Sequence, residues 1–148
     1  MFNQLRFRLA SFDDASRLEA IRQEAFAPIF ASFRTLLGDE IYGLAQQRED
    51  EAQGELLHEL ISGKPGWTLY VADLGVEAVG FVAIHIDTTT LVGEIGLNAV
   101  NPTRSGVGIG SAMYEYALDR LREAGMQVAV VATGADASHA RARRAYRL

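Results

Sequence analysis

EIGLNAVNPTRSGVGIGSAMYEYALDRLREAG, residues 94–125, contains the change of period from which the fold can be read. An apolar run ends at Asn101 and Pro102, glycines follow at Gly106, Gly108 and Gly110, and an amphipathic pattern then runs from Ile109 to Ala124. Proline cannot donate to a strand ladder and closely spaced glycines loosen the backbone, so the order is strand, glycine turn, helix. Glycines at the start of a helix let unpaired backbone N–H groups converge, and the helix dipole adds partial positive charge there. Such a nest suits an anion, most naturally a phosphate.

Spacing narrows the choice of phosphate. A P-loop needs a Gly-Lys-Ser/Thr ending, and no lysine occurs in this stretch, which argues against a nucleotide hydrolase. The dinucleotide fingerprint G-x-G-x-x-G fails as well, because its third glycine falls on Ser111 or on Met113. Close helix–strand packing is the other reason for glycine in such a turn.

Composition fits a small enzyme domain. With 148 residues, 49% hydrophobic and 22% charged, residues 1–148 make one domain, able to bury roughly two-thirds of its unfolded surface. Fourteen basic against nineteen acidic residues give a net charge of −5, which disfavours nucleic acid as a partner and favours neutral or cationic substrates. There is no cysteine, hence no disulfide, thiol nucleophile or cysteine zinc site. His58, His85 and His139 lack any metal-ligand spacing, and no metal is expected. No apolar stretch approaches the length of a membrane span, so no membrane partner and a cytoplasmic location are expected.

The remaining elements follow from hydrophobic period. Residues 5–10 alternate as a half-exposed strand, and Ser11 can cap a helix carrying Leu18, Ile21 and Ala25 on one face. Pro28 is read as interrupting that helix or starting another, and Gly38-Asp39 as a further break. Leu56, Leu57, Leu60 and Ile61 continue helically until residues 62–66, SGKPG. Phe26, Phe30, Phe33 and Tyr42 read as core rather than as a binding stripe. Residues 67–72, 76–86 and 90–100 form three strands with short connections, hence antiparallel neighbours, and 126–132 returns as a strand parallel to the last of them. Residues 137–148, capped by Asp136 or Ser138, read as a final helix. The fold class is α/β (α+β), a mixed sheet with helices on both faces.

Two segments resemble the GNAT N-acetyltransferases. Val100-Asn101-Pro102 followed by residues 105–110, SGVGIG, is similar to that family's motif A, Q/R-x-x-G-x-G/A after a strand ending V-x-P, with Ser105 in place of the usual Gln or Arg. His139, Ala142 and Tyr146 are similar to its motif B, N-x-x-A-x-x-x-Y, with histidine in the asparagine place. The resemblance implies a mixed, mostly antiparallel central sheet whose fourth and fifth strands splay around the cofactor. It implies acetyl-CoA as acetyl-donor cosubstrate, transferred directly to a primary amine of a small molecule or protein. The residues it puts against acetyl-CoA are Ala99, Val100, Ser105, Gly106, Val107, Gly108, Gly110, Ser111 and His139. Glu94 falls six residues before Val100 and eleven before Ser105, the register of the general base in the histone-acetylating branch. Tyr146 stands in the place of the general acid that protonates the CoA thiolate. A solvated strand face for Glu94 and a ring packed on the sheet for Tyr146 are the other readings of those positions.

Family members continue past this tyrosine into a Gly-Phe turn and a final hairpin, whereas this sequence stops at Leu148. The fifth strand is therefore expected to present an open edge, with a homodimer as one way to cover it. A truncated or degenerate acyl-CoA-binding module without turnover is the alternative function.

Overall fold

The computed structural model describes residues 4–104, 106–133 and 142–148. Its described strands are β1 (Arg6–Leu9), β2 (Trp67–Asp73), β3 (Ala78–His85), β4 (Val92–Val100), β5 (Val128–Thr133) and β6 (Ala142–Arg147), and its helices are α1 (Ala15–Leu37), α2 (Asp39–Ser62) and α3 (Ile109–Glu123). The strands form one sheet in chain order, β1 to β6. Every neighbouring pair is antiparallel except β4–β5, which is parallel because α3 carries the chain back between them. The mixed sheet with helices on both faces is as the sequence implied.

Two apolar clusters lie on the two sides of the sheet. Leu18, Ile21, Leu57 and Leu60 of α1 and α2 pack on Leu69, Val71, Phe81, Ala83 and Ala99. Ile109, Met113, Ala117 and Leu121, a face of α3 with helical spacing, pack on Val82, Ile84, Ile95, Ala129 and Val131. The β3 sequence AVGFVAIH is buried at all but its last residue, which is why it reads as a nearly continuous apolar run.

Three departures from the sequence reading have physical causes. Pro28 does not break the first helix, which runs unbroken to Leu37, and the stop comes at Gly38, whose φ of 78° no other residue adopts as easily. Residues 142–147 form a strand rather than a helix. The sequence ARRAYR favours helix by intrinsic propensity, but β5 is an apolar strand whose second edge needs a partner, and pairing from Thr133↔Ala142 to Val128↔Arg147 satisfies it. The open edge expected on β5 is therefore covered by β6, and the reason given for a homodimer falls with it. The outer strand carries exposed Arg144 and Arg147, charges of the kind that discourage further edge pairing.

Charged groups also fix the α1/α2 side. Arg22 is fully buried between the two helices, where its guanidinium donates to Glu19, to Gln53 Oε1 at 3.0 Å and to Asp50 Oδ1 at 2.9 Å. At the start of α1, Arg8 forks onto both carboxylate oxygens of Asp14 at 2.8 Å and donates Nε to Asp73 at 3.2 Å. The Arg8 hydrogen bonds hold the Asp14 carboxyl below its ordinary range, with help from the Ser11 N–H.

Candidate active site

The site is built on an irregularity in β4. Val82 pairs with Asn98 and Ile84 with Ile95, so Gly96 and Leu97 together face the single residue Ala83. This is a β-bulge, and it changes which face each side chain meets. Ile95 belongs to the α3 cluster, whereas Leu97 and Ala99, which simple alternation would put beside it, belong to the α1/α2 cluster. Gly96 shares the latter face, for a Cβ there would stand 2.5 Å from the Trp67 ring. Glycine is what leaves room for that indole against β4.

β4 and β5 separate at the same place. They pair from Val92↔Val128 to Ile95↔Val131, and among the described residues β4 has no partner on that side from Gly96 to Val100. β5 continues with β6 while β4 continues with β3, so the two strands part into a fork. Within the fork the β4 edge offers backbone N–H and C=O groups to an extended ligand, as an edge strand offers them to another strand. One carbonyl, that of Gly96, accepts the Asn98 side-chain amide at 2.8 Å. Gly80 braces the other side: a Cβ there would lie 2.8 Å from the Ala99 carbonyl and 2.9 Å from Met113 Sδ.

At the mouth the chain turns sharply into α3. Buried Asn101 ends β4, donating its N–H to the Val79 carbonyl at 2.7 Å while its Oδ1 accepts the Thr103 N–H at 3.1 Å and hydroxyl at 2.9 Å. Arg104 is turned away onto Glu77 at 3.2 Å. Gly106 and Gly108 have φ of 80° and 91°, Gly108 is the N-cap of α3, and among the described residues no side chain caps the helix. A Cβ on Gly106 would meet nothing within 4 Å, and one on Gly110 would lie 3.9 Å from Val100 Cγ2, so the turn sits against the end of β4 with free space above it. Uncapped N–H groups at a helix start, beside an unpaired strand edge, fit a phosphate joined to an extended arm.

Of the residues anticipated from sequence, Ala99 and Val100 lie on the open half of β4, and Gly106, Val107, Gly108, Gly110 and Ser111 gather at the start of α3. Ser105 and His139 lie outside the described residues. Glu94 sits at the closed end of the fork, one residue before the last β4–β5 pair. Tyr146 is not brought to it. It is half-exposed on β6 opposite Ala129, in line with Gly93, and a Cβ on Gly93 would meet Leu121 of α3. Glu94 is the next residue along β4, so it projects to the opposite face from Tyr146.

Sequence reasoning missed His85 and Trp67. The register places Trp67, His85, Glu94 and Val130 in one row across β2, β3, β4 and β5. Period alone could not find this, because it gives the face of a strand but not its register against neighbours. Among the described residues no group of three or more His, Asp or Glu side chains is placed to hold a metal ion. No helix among them is long and apolar enough to cross a membrane.

The fold and sequence match known proteins. The structure is similar to a GNAT family acetyltransferase from Brucella melitensis solved with acetyl-CoA, at 22% identity and a TM-score of 0.63, covering 88% of this chain and 76% of that one. It is similar to the PaiA N-acetyltransferase of Thermoplasma acidophilum solved with coenzyme A, at 18% identity and a TM-score of 0.68, covering 90% and 82%. A third likeness, to the ribosomal-protein-S18-alanine N-acetyltransferase of Escherichia coli, has 13% identity and a TM-score of 0.61, covering 90% and 70%. No curated protein sequence matches the chain. The sequence model of the acetyltransferase (GNAT) family matches residues 29–148, most of the chain. The chain belongs to the acetyltransferase (GNAT) family.

Proposed function

We propose that this protein is an acetyl-CoA-dependent N-acetyltransferase that acts on a primary amine of a small molecule or protein, with Glu94 as general base. The observation that carries the reading is the β4–β5 fork, with the uncapped glycine turn of α3 at its mouth and Glu94 at its closed end. The N–H groups of Gly106, Val107, Gly108, Gly110 and Ser111 would hold the pyrophosphate, and the edge of β4 near Ala99 and Val100 would hold the pantetheine arm. When bound, acetyl-CoA supplies an activated acetyl thioester.

The protein's own contribution is position and proton removal. An amine attacks through its lone pair and must lose a proton, and Glu94 accepts it directly or through one water. Alignment of the two reactants accounts for several kcal/mol of barrier, roughly 7–11 at best. A backbone N–H on the unpaired β4 edge, aimed at the carbonyl oxygen, stabilises the charge that develops there. The departing thiolate draws its proton from solvent, because Tyr146 faces the other side of the sheet.

Calorimetric titration of acetyl-CoA, followed by thiol-release assays over a panel of amines, tests this function. We expect binding tighter than about 100 μM, which corresponds to roughly −5.5 kcal/mol, and amine-dependent thiol release. Saturable binding with no release from any amine would replace it with a non-catalytic acyl-CoA-binding module. A folded protein that binds no acetyl-CoA would end both readings.

A further inference from the structure

His85 stands directly opposite Glu94 in the β3–β4 ladder. The adjoining pair, Ile84 and Ile95, both enter the α3 cluster, so His85 and Glu94 project together on the α1/α2 face. Directly opposed residues of an antiparallel pair hold their Cβ atoms about 4.5–5.5 Å apart, a span that an imidazole and a carboxylate close easily.

The ring is held on two other sides. Trp67, opposite His85 on β2, packs against it with ring centroids 5.0 Å apart at 50°. Gly66 approaches so closely that a Cβ there would stand 2.8 Å from His85 Nε2, and its φ of 81° also favours glycine. The charged groups set against the imidazole are Glu94 across the ladder and Asp87 in the turn beyond β3, while Trp67 and Gly66 bring none. The Asp87 carboxylate accepts the N–H groups of Thr89 at 2.9 Å and Thr90 at 3.2 Å, fixed at the protein surface. His85 and Glu94 are both half-buried, and His85 lies nearer the turn that holds Asp87.

We propose that His85 takes from Glu94 the proton removed from the acceptor amine and delivers it to water, returning Glu94 to its ionised state for the next turnover. The inference rests on Glu94 being the base. As the C–N bond forms and the C–S bond breaks, the nitrogen's proton passes to the Glu94 carboxylate, then to a ring nitrogen of His85, and then to solvent beside Asp87. The thiolate gains its own proton from solvent, so charge and atoms balance without another reactant. His85 is a positioning and relay residue rather than a catalytic one, since it acts through Glu94.

Trp67 is the single tryptophan of the chain, and its emission reports the state of the imidazole beside it, because a protonated imidazole quenches indole. The test uses the full chain in two arms. Without substrate, Trp67 emission is titrated against pH in the wild type and in Glu94→Gln. We expect the pH course of the quenching to change when the Glu94 charge is removed, because the two side chains lie directly opposite each other in the ladder. With substrate, His85→Gln lowers kcat roughly tenfold at unchanged KM for acetyl-CoA, causes no further loss when added to Glu94→Gln, and free imidazole restores activity to His85→Ala. An unshifted emission midpoint, or losses that multiply in the double variant while Glu94→Gln alone lowers kcat, would overturn the relay and leave Glu94 as base. Full activity in Glu94→Gln with a shifted midpoint would instead overturn the base and the relay together, leaving only the pairing.

Discussion

The two faces of the sheet do different work, and β4 serves both. On the α3 face the interactions are apolar and aromatic: Phe7 stacks on Tyr116 at 4.3 Å, Tyr70 meets the same ring edge-on at 5.1 Å, and the Arg120 guanidinium lies 4.6 Å from the Tyr116 ring centroid. On the α1/α2 face the structure places ionisable side chains, with Glu94 and His85 on the strands and Arg22, Glu19 and Asp50 between the helices. The bulge at Gly96 and Leu97 allows the division. Before it β4 is a paired strand presenting Glu94 to one side. After it β4 has, among the described residues, no partner on its β5 side, and it ends in Val100, which packs beside the first turn of α3. Under the proposed function binding falls to backbone groups and proton handling to side chains, and substitutions should separate the two.

The largest separation should come from Glu94→Gln, which keeps the side chain's shape and removes its basicity. We expect kcat to fall about 10²–10⁴-fold and the calorimetric affinity for acetyl-CoA to stay as it was. An equal loss of affinity would mean that Glu94 belongs to the binding half of the fork.

Next is Arg22→Ala, which tests the α1/α2 face as a structure rather than as chemistry. Its loss leaves the carboxylates of Glu19 and Asp50 facing each other over a buried void, and removing one partner of a buried charge network costs about 3–5 kcal/mol. Denaturant midpoints should fall accordingly. A far smaller cost would show that Glu19 and Asp50, both part-exposed, relax into water.

Much of this was legible in the sequence because period and turn chemistry are local. The β2–β3–β4 strands, the glycine turn and α3 follow from alternation, from Asn101-Pro102 and from Gly106 and Gly108. Three things were not local. Residues 142–147 have a helix-favouring composition, and only the unpaired edge of β5 makes them a strand. That change moved Tyr146 to the face opposite Glu94. The row Trp67, His85, Glu94 depends on register, and register is set by a bulge that nothing in AVGFVAIH or VGEIGLNAV announces. Arg22 drew no reading from the sequence, because its burial depends on Asp50 and Gln53, about thirty residues away on another helix.

A smaller effect is expected on the backbone half of the site. Gly108 has a φ of 91°, and an alanine there costs about 1–2 kcal/mol in a left-handed conformation. The turn relieves that strain by rotating its N–H groups away from their common focus. Gly108→Ala should therefore weaken acetyl-CoA binding about tenfold, the equivalent of 1.4 kcal/mol, while kcat at saturation holds. A loss confined to kcat would contradict the assignment of binding to this turn.

The smallest effect distinguishes the faces by pH. The Arg8 hydrogen bonds depress the folded-state pKa of Asp14, so the stabilisation they give is present above the ordinary carboxylate pKa and is lost as pH falls through the depressed one. Arg8 is 43% exposed, and solvent screening limits the pair to about 1 kcal/mol or less. Asp14→Ala should accordingly be less stable than wild type at pH 7, with the gap closing once the pH drops well below about 4. Tyr116→Leu, on the α3 face, loses ring stacking of about 0.5–1.5 kcal/mol, and that loss should be the same across the acid range because no carboxylate takes part in the stack. Urea midpoints for both variants at pH 7 and pH 3 decide the matter. Parallel losses at both pH values for Asp14→Ala would trace its cost to the start of α1, where Asp14 also accepts the Ser11 N–H, rather than to the charge pair with Arg8.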